Sequence, residues 1–423
     1  MRTITNRPIY FFSLFFVCIA TNIGLLPCTL AGNSEDGKEK QFSFSFYGFV
    51  NYEMSFDTRQ VIAAREGNVV LFPAPVKADP AGNDINAQTS IAYYVLTSRF
   101  GSRITGPEIM GAKSSAVFEG DFLGTQADKF HHLRLRHAFI QLNWENSAII
   151  AGQYWHPLFI PTCFPDLVNF GGSVPYHVLS RAPQLRFSHQ ISNLILSAMV
   201  LTQGDFPSTG PQGPSSIYLR NSSTPEAYLQ SVFSTPLLDV GASLGYMTLK
   251  PRLETPAGFK TTETIGGMAS NLWFKFNLPA LTIKVQGIYG ENMTHLIMLG
   301  GYGETDFLDI EKEIRGYSAV RTGSVWTDFE TTGKRYRVGF FAGYSENLGS
   351  KEEITGSSWV RGGNIAYIYR LSPRARLIFD NFSINAEIFY DVAAYGNPDL
   401  KFKVHDAEEV NNIRFLATLR YNF

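Results

Sequence analysis

Along most of the chain hydrophobic and polar residues alternate one by one, the period of an extended strand whose two faces meet different surroundings. The last stretch carries the pattern most plainly. Ile413, Phe415, Ala417, Leu419, Tyr421 and Phe423 fall on one side, and Asn412, Arg414, Thr418, Arg420 and Asn422 on the other; only Leu416 breaks the order. A strand that is apolar on one face, cationic on the other and finished by a terminal Phe suits a sheet with lipid outside and water inside. For this stretch alone the competing reading is an edge strand of a soluble sandwich.

Sixteen segments of this kind follow one another, joined by connections that are short and long by turns. The first covers Phe42 to Asp57 and leads into a long polar loop, Thr58 to Gln88. The next four cover Ile91–Thr105, Ala112–Phe122, His132–Trp144 and Ala148–Trp155. A connection from His156 to Arg181 precedes the sixth and seventh, Gln184–His189 and Leu194–Thr202. Later strands pair about hinges at Thr235-Pro236, Asn277-Leu278-Pro279, Thr332-Gly333-Lys334 and Asp380-Asn381, ordinary hairpin chemistry. Between the hairpins lie the acid-bearing loops Glu291–Glu313, Glu346–Gly363 and Gly396–Val410. An even count closes, so the predicted fold is all-β: a transmembrane antiparallel β-barrel of about 16 strands with an inward-folded constriction loop.

The N-terminus supports export. Arg2 and Arg7 precede the apolar run Ile9 to Ala20, and Thr29-Leu30-Ala31 makes a small-residue cleavage site. The division predicted is a signal peptide over 1–31, a short periplasmic segment over 32–41 and the barrel over 42–423. No stretch reaches the roughly 18 uninterrupted apolar residues of a membrane helix, so a membrane-spanning form must be a barrel. Pro27 directly before Cys28 argues against a lipid-modified cysteine. Cys18 and Cys28 leave with the signal and Cys163 stays alone, so no internal disulfide is expected. Cleavage removes two of the 36 basic residues and none of the 37 acidic ones, leaving a formal charge of −3. Bulk attraction to nucleic acid does not follow from that, whereas outer-membrane lipid is the expected surrounding.

Lipid also decides which face is which, because an arginine at the bilayer midplane costs about 2–4 kcal/mol and one in a wet lumen little. On that rule Arg99, Arg103, Arg134, Arg136, Arg186, Lys275, Lys284, Arg337, Arg370, Arg374, Arg376, Arg414 and Arg420 line the lumen. The acids on the same wall are Glu53, Asp57, Glu119, Asp121, Glu387 and Asp391. Signs sort by strand: basic strands two, four, fourteen and sixteen alternate with acidic strands one, three and fifteen. Cross-strand ion pairs stiffening the wall are one reading. The other is a net cationic lumen, thirteen bases to six acids, that concentrates anions. The connection His156–Arg181 is too apolar for solvent, and folded inward it would narrow the pore with His156, Asp166, Asn169, Tyr176, His177 and Arg181 as its polar contribution. An apolar lid outside the barrel mouth is the alternative.

Polar or small residues Ser98, Ser102, His137, Gln141, Asn143 and Gly152 fall on faces otherwise assigned to lipid, which marks strands two, four and five as a subunit contact. A bulge that swaps the phase of strand four would instead turn part of this set inward, as Ile140 and Leu142 suggest.

Several motifs resemble those of the DcaP-like outer-membrane porins. They include Tyr47-Gly48-Phe49-Val50, the hairpin Ser98-Arg99-Phe100-Gly101-Ser102-Arg103-Ile104-Thr105-Gly106-Pro107-Glu108, and Phe118-Glu119-Gly120-Asp121-Phe122. Leu133-Arg134-Leu135-Arg136-His137-Ala138-Phe139, Ala151-Gly152-Gln153-Tyr154-Trp155-His156-Pro157, Arg370-Leu371-Ser372-Pro373-Arg374 and Ala393-Ala394-Tyr395-Gly396 continue the series. The resemblance implies a homotrimer of sixteen-stranded barrels passing small anions such as dicarboxylates through an arginine-lined constriction. Some members of that family carry a coiled-coil segment before the barrel; here only Gly32 to Gln41 separates signal and first strand, so a periplasmic tether is not expected. Resemblance to outer-membrane barrels at large makes Tyr421 and Phe423 the signal read by the barrel-assembly machinery.

Two other functions compete. An outer-membrane lipase needs a nucleophile and a base close together, and no histidine is followed two residues on by Ser. A structural or adhesive barrel plugged by its own loops is the other. The sequence offers no catalytic or cofactor motif, no phosphate loop, no paired Cys ligands and no His/acid cluster at metal spacing.

Overall fold

The computed structural model describes residues 28–32, 40–126 and 129–423. Most of the expected signal peptide lies outside them; Cys28–Gly32, which spans the expected cleavage site, pairs antiparallel with Lys40–Phe44. The wall strands are β1 (Lys40–Asp57), β2 (Ser90–Tyr94 continued by Arg99–Thr105), β3 (Lys113–Asp121), β4 (Arg134–Asn143), β5 (Ser147–Trp155), β6 (Arg181–Ile191), β7 (Leu194–Leu201) and β8 (Glu226–Ser234). They continue as β9 (Leu238–Leu249), β10 (Ile265–Asn277), β11 (Leu281–Glu291), β12 (Ile314–Thr331), β13 (Tyr336–Ser350), β14 (Ile365–Phe379), β15 (Phe382–Pro398) and β16 (Val404–Asn422). Each pairs antiparallel with the next, and β16 returns to β1 from Phe49↔Asn422 to Asp57↔Arg414, closing a sixteen-stranded barrel.

The alternation sets the wall. On β1, Asn51, Glu53, Ser55 and Asp57 are buried while Val50, Tyr52, Met54 and Phe56 are exposed. A one-residue slip would turn the acids onto the apolar outer face, so the pattern pins the register. Three differences from the sequence pattern are local. β2 is interrupted at 95–98, where the Ser98 hydroxyl accepts from the Asn51 backbone N–H (3.0 Å) in place of a ladder partner. β6 begins at Arg181 rather than Gln184, with Pro183 opposite Gln153. The loop expected over Gly396–Val410 shrinks, because β15 runs to Pro398 and β16 starts at Val404.

β4 carries the phase swap. Asp121 faces Arg134 and Glu119 faces His137, leaving Arg136 as the extra residue of a bulge. Beyond it His137 is buried and Ile140 exposed. Gln141 pairs Ser115 and Ile140 pairs Ala116, so His137, Gln141 and Asn143 share the inward face and drop out of the expected subunit contact. The bulge leaves carbonyls outside the ladder, and the Gln153 amide donates to two of them, Leu135 O (2.9 Å) and Arg136 O (3.1 Å).

The main apolar core sits inside the barrel. Leu158, Cys163, Val174, Leu296, Met298, Trp273, Trp326 and Phe341 are fully buried in one cluster. Three segments bring it there: the connection after β5, a hairpin of Val61–Ala64 with Val69–Pro73, and residues 292–299 after β11. Two expectations change accordingly. The loop Thr58–Gln88 is not simply polar, since Val69, Val70, Leu71 and Phe72 enter the lumen, and Glu291–Glu313 is solvated only in its later part. Burial at about 25 cal/mol per Å² of apolar surface favours these segments inside over exposed to water.

Candidate permeation site

Most inward arginines are held by the wall itself. Arg134 binds Asp121 through two parallel bonds (3.0 and 2.7 Å), and Arg136 spans Glu119 (2.7 Å) and Asp121 (3.0 Å). Arg414 takes Asp57 in a fork (2.9 and 2.7 Å) and also donates to Gly67 O. The sorting of signs by strand is therefore realised as cross-strand pairs, with planar guanidinium and carboxylate groups matched edge to edge.

Arg374 reaches farther, over β13 to Asp328 (2.7 Å) and Glu330 (2.7 Å) on β12. Gly339 on β13 makes the crossing possible: a Cβ there would lie 2.5 Å from the Arg374 guanidinium carbon. Asp328 and Glu330 escaped the sequence reading, although their two-residue spacing in Thr327-Asp328-Phe329-Glu330 puts both on the inward face.

Other wall groups hold the in-folded connection. Arg370, fully buried, binds Asp391 and the carbonyls of Gly172, Val174 (3.1 Å) and Val70 (3.3 Å). Glu387 accepts from the backbone of Val168 (2.8 Å) and Asn169 (3.2 Å), and Asn169 donates to Glu53 (2.8 Å). Arg376 binds Asp166. Ser324 donates to Tyr176 O (2.8 Å), and Lys284 to Phe164 O (2.7 Å). His177 lies among Phe159, Phe164 and Trp326; burial pushes its ring down to about 4, and Nδ1 donates to Val178 O (2.6 Å). The connection thus folds inward, and the apolar lid outside the mouth is excluded.

Beside the in-folded segments lies a chamber of about 70 Å³, several times the room needed by one ordered water. Arg99, Arg134, Arg136, Arg181 and Arg420 line it with Glu53 and Asp121, five positive groups against two negative. The guanidinium planes rest on aromatic faces: Arg181 on Trp155 (4.5 Å), Arg136 on Phe170 (5.1 Å), Arg99 on Phe49 (5.1 Å) and Arg420 on Phe49 (3.6 Å). Arg181 also meets Asp205 (2.6 Å). Arg136 Nη2 and Arg181 Nε and Nη1 are buried without a hydrogen-bond partner among the described residues. Buried guanidinium donors without partners are costly, and an acceptor in the chamber, water included, would satisfy them.

The remaining expected residues are dispersed. Arg186 stacks on Tyr154 (5.3 Å), Arg337 stands 3.7 Å from Glu330 in a wetter place, and Arg103 is exposed at the short-turn end of β2. Glu119 sits behind the chamber, bonded to Arg136 and to the Tyr47 hydroxyl (3.1 Å). Tyr421 and Phe423 are half exposed on the outer face. His156 faces Glu226 and His295, which no sequence spacing joins.

The fold matches solved outer-membrane proteins. The outer membrane channel DcaP of Acinetobacter baumannii superposes with a TM-score of 0.65 at 15% identity, over 93% of this chain and 100% of that one. OmpT of Vibrio cholerae in its trimer form gives 0.53 at 12% identity, over 90% and 99%. Salmonella typhi OmpF in complex with daunomycin gives 0.50 at 10%, over 90% and 98%. No protein-family model matches the sequence, and no curated protein matches it.

Proposed function

We propose that this chain is an outer-membrane porin, exported with a cleaved signal peptide, that passes small anionic solutes of dicarboxylate type through the arginine chamber. The observation that carries the reading is a cavity lined by five arginines and two acids, with buried guanidinium donors that lack a partner among the described residues even though Glu119 and Asp205 pair with Arg136 and Arg181 from behind. Low-dielectric aromatic walls strengthen that field, and a planar fork of donors matches a carboxylate. The structural likeness to the DcaP channel and to a porin-fold trimer supports both the channel and a homotrimer. Ser102 supports the trimer face: it points outward between Phe46 and Phe118, its hydroxyl without a partner among the described residues.

The apolar cluster inside the barrel favours a second reading, a barrel plugged by its own loops. Planar-bilayer recording separates the two. Discrete open steps blocked by millimolar dicarboxylate are expected of the porin. A silent bilayer, with barrel formation verified by heat-modifiable migration, supports the plug and overturns the proposal.

A further inference from the structure

Away from the chamber, a second polar cluster lies buried in the lumen. His156 opens the in-folded connection, Glu226 begins β8, and His295 lies in the turn Thr294–Leu296. The three are between 1 and 3% exposed. His156 Nε2 and His295 Nε2 stand 3.2 and 3.4 Å from Glu226 Oε1, and the imidazole planes are 75° apart. One candidate ligand atom from each residue lies within 4.8 Å of the others. Tetrahedral zinc with nitrogen and oxygen ligands at about 2.0–2.2 Å spaces its ligand atoms roughly 3.3 Å apart. Two of the three edges already have that length.

A second observation points to a ligand. Glu226 Oε2 is buried without a hydrogen-bond partner among the described residues. Among the described residues the other group on the carboxylate is the Tyr228 hydroxyl, 3.1 Å from Oε1, which suits an outer partner that orients a metal-binding carboxylate. A buried carboxylate facing two imidazoles, with a lone pair unused, is completed by a cation that takes nitrogen and oxygen together.

We propose that His156, Glu226 and His295 bind one zinc-class divalent ion. The ligands come from the connection after β5, the wall, and the segment after β11, whose Leu296 O also accepts from Leu179 N (3.3 Å). The ion would staple two in-folded segments to β8. His156 Nδ1 now accepts from the Leu158 N–H (3.3 Å), so loading through Nε2 must surrender that long contact.

The test uses the folded full-length protein, stripped with chelator and re-equilibrated with Zn²⁺ alone. Elemental analysis and titration calorimetry are expected to give one Zn²⁺ per chain. Glu226→Gln and His295→Gln should each weaken binding more than tenfold. Zinc-edge anomalous diffraction of the wild type should place a peak among the three side chains, which decides the matter even if a variant fails to fold. Stoichiometry well below one, binding unchanged in both folded variants, or a peak elsewhere would overturn the assignment. Calcium or magnesium binding with the same affinity would overturn it too, since imidazole ligands disfavour those ions.

Discussion

Arg370 ties the wall to two of the segments that fill the lumen, so its removal separates barrel stability from plug stability. Arg370→Ala leaves Asp391 buried without its cation and releases the carbonyls of Gly172, Val174 and Val70. Breaking a buried pair on one side costs about 3–5 kcal/mol, some two to three and a half powers of ten in an equilibrium constant. The wall ladder does not pass through these contacts, so the loss should fall on the in-folded segments. The variant is expected to form a heat-modifiable barrel, to be cut by added protease within residues 156–180, and to conduct more, with noisier steps. Replacing both partners, Arg370→Met with Asp391→Leu, should restore much of the protection because no buried charge is stranded. Equal protease resistance and equal conductance in wild type and Arg370→Ala would refute the anchoring role.

Phe423 closes the ring by exchanging backbone bonds with Gly48 (3.0 Å each way), and deleting it should lower the amount of protein at the cell surface; normal surface levels would count against the closure argument. Gln153→Ala removes both donors to the β4 bulge and should cost about 1–3 kcal/mol in urea unfolding, with no change expected if water replaces the amide. Cysteines at outward positions of β2 and β3 around Ser102 should cross-link subunits, whereas monomers alone would place the contact elsewhere. The mature protein should begin at Gly32 on N-terminal sequencing, and a retained leader would remove the export argument.

The barrel was legible because one physical rule runs along the wall strands: apolar residues fall outward at period two, the pattern expected of a lipid-facing wall. Even the phase swap of β4 was visible, in Ile140 and Leu142 on what regular alternation makes the inner face. The filling of the lumen was half legible. The apolar connection after β5 announced itself, but Val69 to Phe72 and Met293 to Leu299 sit inside loops whose polar flanks masked them. Individual arginine roles were not legible, since alternation gives a side chain's face and not its partner. Arg374 and Arg99 share the inward face, yet one is locked between Asp328 and Glu330 and the other lines the chamber. Nor does any sequence spacing join His156, Glu226 and His295, which stand 70 and 69 positions apart and meet only when the connection folds in.

The most direct test of anion passage is the reversal potential across a KCl gradient, compared between wild type and Arg99→Gln/Arg420→Gln. Among the described residues these two arginines are the least committed of the chamber: Arg99 stands 3.7 Å from Glu119, and Arg420 bonds only to Asn422. Their loss removes two of the five lining arginines, and two positive charges, without breaking a forked ion pair. The wild type is expected to reverse on the anion-selective side and the variant to move toward the cation side. The shift should be larger at 0.01 M than at 0.1 M salt, where the screening length falls from about 30 to about 10 Å. A reversal potential that is cation-selective in the wild type, or identical in both proteins, would contradict an anion path through this chamber.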